Sequence, residues 1–312
     1  MAPVGRAVYS GVLPSAKALL FGVLAAMGIG FIAIWARQPR VGGTRARPTP
    51  GQIAIGFVTN FFDTLGIGSF ATTTSLYKLG HAVADENIPG TLNVGHMIPT
   101  FAEAFIFILV VEVDMTTLAA MVAAATLGAW LGAGVVSRWP RRRIQLGMGV
   151  LLILAAGIMA ARAAKLWPGG GEALGLSGGR LAVAVAGNAL LGALMTLGIG
   201  LFAPCMILIA LLGMNETAAF PIMMGSCAFL MPAASVRFVR SGRYDLPAAL
   251  GLTVGGTPAV IIAGMWIKSL PLAAVKWLVV VVVVYTALAM LNSARSASAV
   301  KPAVPGGTGG NG

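Results

Sequence analysis

Thr64-Leu65-Gly66-Ile67-Gly68-Ser69-Phe70 and Thr196-Leu197-Gly198-Ile199-Gly200-Leu201-Phe202 agree at six of seven positions across an offset of 132 residues. Each lies inside an apolar stretch, residues 52–77 and 181–212, longer than the roughly 20 residues one helix needs to cross the hydrocarbon core. Paired glycines in the middle of such a stretch predict a helix that opens its backbone inside the membrane. Later landmarks keep nearly the same spacing: Asp114 precedes its apolar span as Asp245 does, and Pro140 aligns with Pro271. Several anchors agree in order, so coincidence in a Gly- and Leu-rich chain is the weaker account. The chain reads as two copies of one unit.

Composition points the same way. Of 312 residues, 58% are hydrophobic and only 10% charged, with a mean hydropathy of +0.90. A soluble domain carries about 25% charged residues, so this surface faces lipid. A soluble enzyme, a nucleic-acid-binding domain and a disordered protein are thereby excluded. The net charge of +12 does not restore the nucleic-acid reading, because the basic residues lie in short loops between apolar runs. Cys205 and Cys227 fall within apolar stretches, which speaks against a disulfide framework. No CxxC, HExxH or phosphate-loop pattern occurs, so neither a metal nor a cofactor is expected.

Around the opened segments, unbroken spans read 18–35, 88–111, 116–136, 144–164, 218–239, 246–267 and 273–291. The first is longer than the roughly 7–15-residue core of a signal peptide and lacks a small-residue cleavage site before Arg37, so it is expected to be retained. The expected organisation is an N-terminal helix and basic loop (1–50), a first transmembrane repeat (51–166), a Gly-rich linker (167–180), a second repeat (181–292) and a disordered tail (293–312).

If each glycine pair marks a hairpin that enters and leaves on one side, each repeat has an odd number of full spans and the second copy must be inverted. Loop charge agrees. Fourteen of the 21 Lys and Arg residues then fall inside, including Arg37, Arg40, Arg45, Arg47, the cluster at 138–143, Arg237, Arg240 and Arg243, and seven fall outside. Treating residues 52–77 as one broken span instead puts the 138–143 cluster outside and fits less well. The predicted fold is an all-α polytopic membrane protein of about seven transmembrane helices plus two re-entrant hairpins in two inverted repeats, a plan that recurs in secondary transporters. The N-terminus is placed outside, against the pull of Arg6 and Lys17. The expected location is the cell membrane, in many passes.

Each half opens with a Gly-rich break. Each then has an aspartate before a small-residue-rich span (Val113-Asp114, Tyr244-Asp245) and a Pro-containing turn before a final apolar helix (Trp139-Pro140-Arg141, Leu270-Pro271-Leu272). Thr126-Leu127-Gly128-Ala129-Trp130-Leu131-Gly132-Ala133-Gly134 adds a glycine-spaced span. Over roughly residues 51–291 this resembles the sulfite exporter TauE/SafE family, also called toluene sulfonate uptake permeases. The resemblance implies a transporter of small anions such as sulfite, sulfonates or other organic acids. The first break, followed by Thr72-Thr73-Thr74-Ser75, is less glycine-dense than the family's Gly-x-Gly-Gly-Gly type, and the insert with His81, Asp85 and Glu86 is more polar. Both departures bear on the substrate more than on the fold.

A helix opened at mid-membrane frees N–H groups at the positive end of a half-helix dipole, which suits an anion. The candidate substrate-binding residues are therefore Asn60, Gly66, Gly68, Ser69, Thr72 and Thr73 at the first break, and Gly198, Gly200 and Cys205 at the second. Against this, the hydroxyls of Thr72, Thr73, Thr74 and Ser75 have carbonyls one turn back to bond, and Cys205 has a plain role as a small buried hydrophobe. Asp63 stands just before the break, at a depth where a carboxylate costs at least ~2.5 kcal/mol; it either carries a proton or caps the freed N–H groups. At 100° per residue, Asn93, His96, Thr100 and Glu103 share one stripe of span 88–111. His96 and Glu103 either relay a proton with Asp63 or tie helices together. One His and one Glu two turns apart do not make a metal site. Asp114, Asp245 and Glu216 are expected to be solvated caps at span ends.

The function read from the chain is a secondary carrier for a small anion, working by alternating access. A passive anion channel is the alternative, because re-entrant hairpins also build channel filters. No nucleophile–base or metal constellation suggests an enzyme. The expected partners are the lipid bilayer and the anion, with no nucleic acid; a homodimer stays open.

Overall fold

Thr49 starts the first opened segment with a reciprocal cap. Its hydroxyl accepts from Gln52 N at 3.2 Å, and Gln52 Oε1 accepts from Thr49 N at 2.9 Å. Pro50 occupies the first helical position, where a missing N–H costs nothing. In this computed structural model, residues 13–37, 47–66, 68–84, 86–136, 171–195 and 201–269 are described, with scattered positions within 146–166 and 274–295. The helices are α1 (Leu13–Ala36), α2 (Pro50–Thr64), α3 (Ser69–Leu79), α4 (Ile88–Gly95), α5 (Met97–Val110), α6 (Met115–Val136), α7 (Gly178–Met195), α8 (Phe202–Leu211), α9 (Ala219–Ser241) and α10 (Leu246–Ser269). Among the described residues, five helical stretches are long and apolar enough to cross a membrane: α1, α4 with α5, α7, α9 and α10. The chain is a polytopic all-α membrane protein.

Helix directions follow from which residues meet. Along α2 and α10, Gln52 lies against Gly251, Gly56 against Leu252, Asn60 against Gly256 and Phe61 against Trp266, so the two run parallel. After the turn α3 runs back: Thr73 reaches His96, and Tyr77 reaches Ala248, level with the start of α2. The first hairpin therefore enters and leaves on one side. In the second half Gly187 packs on Leu208, and Gly213, just after α8, lies by Arg180 near the start of α7. Helix α8 returns along α7 in the same manner.

The two halves pair by exchange. Helix α7 runs parallel to α6, with Thr117 beside Leu176, Met121 beside Asn188 and Ala125 beside Gly192. This repeats the α2/α10 pair with the halves swapped. Helix α9 runs opposite to α4 and α5: Phe238 lies by Gly90, Ser235 by Asn93 and Phe220 by Phe107. The caps also match, since Asp114 Oδ1 accepts from Thr117 N and Asp245 Oδ1 from Ala248 N, both at 2.8 Å and 131 residues apart. The second copy is inverted relative to the first, as the loop charges require. Helix α1 runs opposite to α5, from Phe21 on Phe105 to Trp35 Nε1 donating to Tyr244 at 3.2 Å.

Two expectations are corrected. Span 88–111 is not one helix: it breaks at His96 between α4 and α5. Pro99 has no N–H to give the carbonyl of Gly95, one turn back. Thr253 of α10 donates to that carbonyl instead, at 2.8 Å. Glu216 is not a solvated cap, since it is 6% exposed, and Asn215 Oδ1 accepts from Thr217 N in its place. The Arg cluster at 138–143 and, apart from Arg295, the tail lie outside the described residues.

Candidate functional site

Two left-handed glycines make the turn between α2 and α3. Gly66 has φ of +95° and Gly68 of +85°, a region where side-chain-bearing residues are strained. Gly66 N donates to Asp63 O at 2.7 Å and closes the turn. The turn aims the first N–H of α3 back at Asp63. Ser69 N donates to Asp63 Oδ1 at 2.9 Å, and Ser69 Oγ to Asp63 Oδ2 at 2.6 Å. Asp63 thus fills the capping role, one of the two left open by the sequence, and its carboxylate takes both the backbone and side-chain donors of Ser69. Helix α2 is 15 residues long, which puts this turn about 22 Å from the side it enters.

A second set of bonds ties α2, α3 and the α4/α5 break together. His96 Nδ1 is 2.9 Å from Asn60 Oδ1, and His96 Nε2 is 3.1 Å from Thr73 Oγ1. Asn60 Nδ2 donates to Gly56 O at 2.7 Å. With the Asn60 amide so turned, its Oδ1 accepts, and the proton of this contact belongs to Nδ1. Nε2 then accepts from the Thr73 hydroxyl, and every polar atom of the imidazole is satisfied as a neutral ring. Phe70 stacks on the ring with centroids 5.7 Å apart.

One turn deeper, Thr64 Oγ1 stands 2.8 Å from Asn60 O and 2.9 Å from Glu103 Oε1. Glu103 is fully buried, and its Oε2 has no partner among the described residues. Neither α2, α4 nor α5 contains a lysine or arginine.

The structure thus brings together Asn60, Asp63, Ser69, Thr73, His96 and Glu103, all buried. Thr100 is buried on the same helix as Glu103. Thr72 and Thr74 bond carbonyls of their own helix, Ser69 O at 2.9 Å and Phe70 O at 2.7 Å. Asn93 is half-buried and donates to Pro89 O, away from the cluster. Gly198 and Gly200 lie outside the described residues. The side chain of Ser75 also lies outside what is described.

The sequence already pairs Met195 with Asp63 and marks Cys205, but does not mark Cys227 as the counterpart of His96. Carried across by 131 or 132 residues, Asp63 becomes Met195, Thr73 becomes Cys205 and His96 becomes Cys227. The oxygen and nitrogen groups of one hairpin are replaced by sulfur at the other. Cys227 Sγ is 3.8 Å from Met195 Sδ. Cys205 and Cys227 are free and buried, and Cys227 lies within electrostatic range of Asp63, Glu103 and Cys205. The repeat offset was the available signal. Thr64 was also missed, because a threonine inside a helix carries no sequence mark of a cross-helix contact.

Among the described residues, no group of three or more His, Cys, Asp or Glu side chains is placed to hold a metal ion. The sequence profile of the family described as Sulfite exporter TauE/SafE matches residues 1–159, just over half the chain. No curated protein and no solved structure matches the chain significantly.

Proposed function

Because the chain belongs to the sulfite exporter TauE/SafE family, a family of membrane transporters, we propose that it is a secondary carrier for a small sulfur-containing or organic anion. Sulfite and sulfonates are the leading substrates. The first hairpin carries this reading: an opened backbone buried inside the helical bundle, with the N-terminus of α3 and the Ser69 hydroxyl converging on one carboxylate. A sulfonate or sulfite oxygen has the same appetite for those two donors. Gly66 and Gly68 open the backbone, and Asn60, Thr73 and Cys205 are the side chains assigned to the solute; Gly198 and Gly200 enter this reading from the sequence repeat alone.

Alternating access fits better than a channel. Asn60, Asp63, Ser69, Thr73, His96 and Glu103 are at most 3% exposed, so the site is shut from both faces, as an occluded carrier intermediate is. The inverted halves supply the two elements that rock against each other. Arg37, Arg47, Arg237, Arg240 and Arg243 are exposed on the side where α2 begins, and Glu112, Asp114, Glu172 and Glu216 lie on the other. That asymmetry supports a cell-membrane protein with the basic side in the cytoplasm.

The test is flux in liposomes holding the purified chain, with sulfite, a sulfonate and a carboxylate as solutes. A carrier gives flux that saturates and counterflow of labelled solute against unlabelled. Flux that rises linearly without counterflow assigns a channel instead.

A further inference from the structure

We propose that Glu103 is the residue that carries a coupling proton, and that in this conformation the proton sits on Oε1 and is donated to Thr64. The proposal rests on the carrier reading above and deepens it by naming the coupling ion and the group that holds it.

The argument is a count of hydrogens. The Thr64 hydroxyl owns one hydrogen, yet two oxygens stand within bonding distance, Asn60 O at 2.8 Å and Glu103 Oε1 at 2.9 Å. Asn60 O is a carbonyl and only accepts. If Glu103 were a carboxylate, one of the two contacts would press acceptor on acceptor. With a proton on Oε1 the chain closes: Glu103 O–H donates to Thr64 Oγ1, and Thr64 O–H donates to Asn60 O. Oε2 is then a neutral carbonyl oxygen. Leaving that unpaired costs about 1–3 kcal/mol, whereas a charged oxygen left unpaired costs more.

The neighbours give the opposite result for Asp63. Each of its oxygens accepts a hydrogen, from Ser69 N and Ser69 Oγ, which is the complement of an ionised carboxylate. The titratable groups within electrostatic range of Glu103 are Asp63 from α2 and Cys227 from α9. Helix α6 and the buried length of α10 contribute none. The ring of His96 has both nitrogens engaged, so it holds α2 and α3 in place and does not shuttle the proton. When the halves rock open, the O–H bond of Glu103 breaks to water on the newly exposed side. The carboxylate left behind takes up its next proton only after the site has reopened to the opposite side, so one proton crosses the membrane per cycle.

Glu103→Gln keeps the size, and its amide N–H can replace the donated bond to Thr64. Two measurements on the purified full-length chain test the proposal. Infrared spectroscopy should show the carbonyl stretch of a protonated buried acid at neutral pH in the wild type, and that band should vanish in Glu103→Gln. A band that survives the substitution overturns the assignment. In liposomes, methanesulfonate is the solute, because its charge is the same at every working pH and any pH dependence belongs to the protein. Glu103→Gln should keep counterflow but lose accumulation driven by an imposed pH gradient by about tenfold or more. Gradient-driven accumulation that persists in this variant overturns the proton role. A wild type that shows the band yet moves no methanesulfonate, sulfite or carboxylate overturns the carrier reading and leaves the proton on Glu103.

Discussion

His96 and Asn60 meet Nδ1 to Oδ1 at 2.9 Å, and this contact joins the break between α4 and α5 to the last turn of α2. Thr73 completes the link to α3 from the other ring nitrogen. Replacing His96 with Ala leaves two buried groups unpaired and should destabilise the protein by about 1–3 kcal/mol, read from thermal unfolding in detergent. His96→Asn retains a group at the Nδ1 position and should recover part of that loss. If the ring only holds the helices, His96→Asn keeps the wild-type pH profile of methanesulfonate flux. A flattened profile in that variant moves the proton from Glu103 to the imidazole.

Asp63 makes a different prediction, because it occupies the donors that the solute needs. Solute and carboxylate compete for Ser69 N–H and Oγ–H. Asp63→Asn removes the competing charge at the positive end of α3. Equilibrium binding of methanesulfonate should tighten by about fivefold to tenfold, about 1 kcal/mol, while turnover slows because release is harder. Weaker binding in Asp63→Asn shows instead that the carboxylate supports the site from behind.

Much of this architecture could be read from the chain, and the unread parts have physical reasons. The turn at Gly66 and Gly68 was legible because only glycine tolerates φ of +95° and +85° without strain. The inversion was legible from loop arginines, since charge placement is a membrane-wide rule. The break at His96 was not, although Pro99 sits in plain view. A proline inside a span either kinks it or is absorbed, and the outcome depended on Thr253, 158 residues away, taking the freed carbonyl of Gly95. For Asp63, capping and proton carriage were both open on sequence, and only the position of Ser69 separates them. Met195 and Cys205 were marked by the repeat, but Cys227, 3.8 Å from Met195 Sδ, went unread because a thiol inside an apolar run looks like ordinary core.

Close helix contact gives a prediction with two signs. At Gly192 a built Cβ falls onto Ala125 O, and at Gly255 onto Ile53 O and within 2.8 Å of Phe57 N. The obstructing atoms are backbone, so the helices themselves must part. Gly192→Ala and Gly255→Ala should each destabilise by about 1–3 kcal/mol. Gly22 in α1 has nothing within 4 Å of the added carbon, and Gly22→Ala should stabilise its helix by about 0.5–1 kcal/mol. Thermal unfolding of the three variants in one detergent checks both signs. Equal gains at all three positions show that helix propensity, not contact, governs the response.

Orientation can be tested with the native thiols left in place. Cys205 is fully buried and Cys227 is 2% exposed, so a membrane-impermeant maleimide should leave the unmodified chain unlabelled. Arg240 and Glu112 are exposed on opposite sides, at the ends of α9 and α5. With the basic side in the cytoplasm, Glu112→Cys should label in intact cells and Arg240→Cys only after lysis. Helix α1 starts on the same side as Glu112, because Phe21 packs on Phe105 while Trp35 reaches Tyr244. The same result therefore places the start of α1 outside. Labelling in the reverse order turns the whole molecule over, and the end of α3 would then be approached from the other compartment.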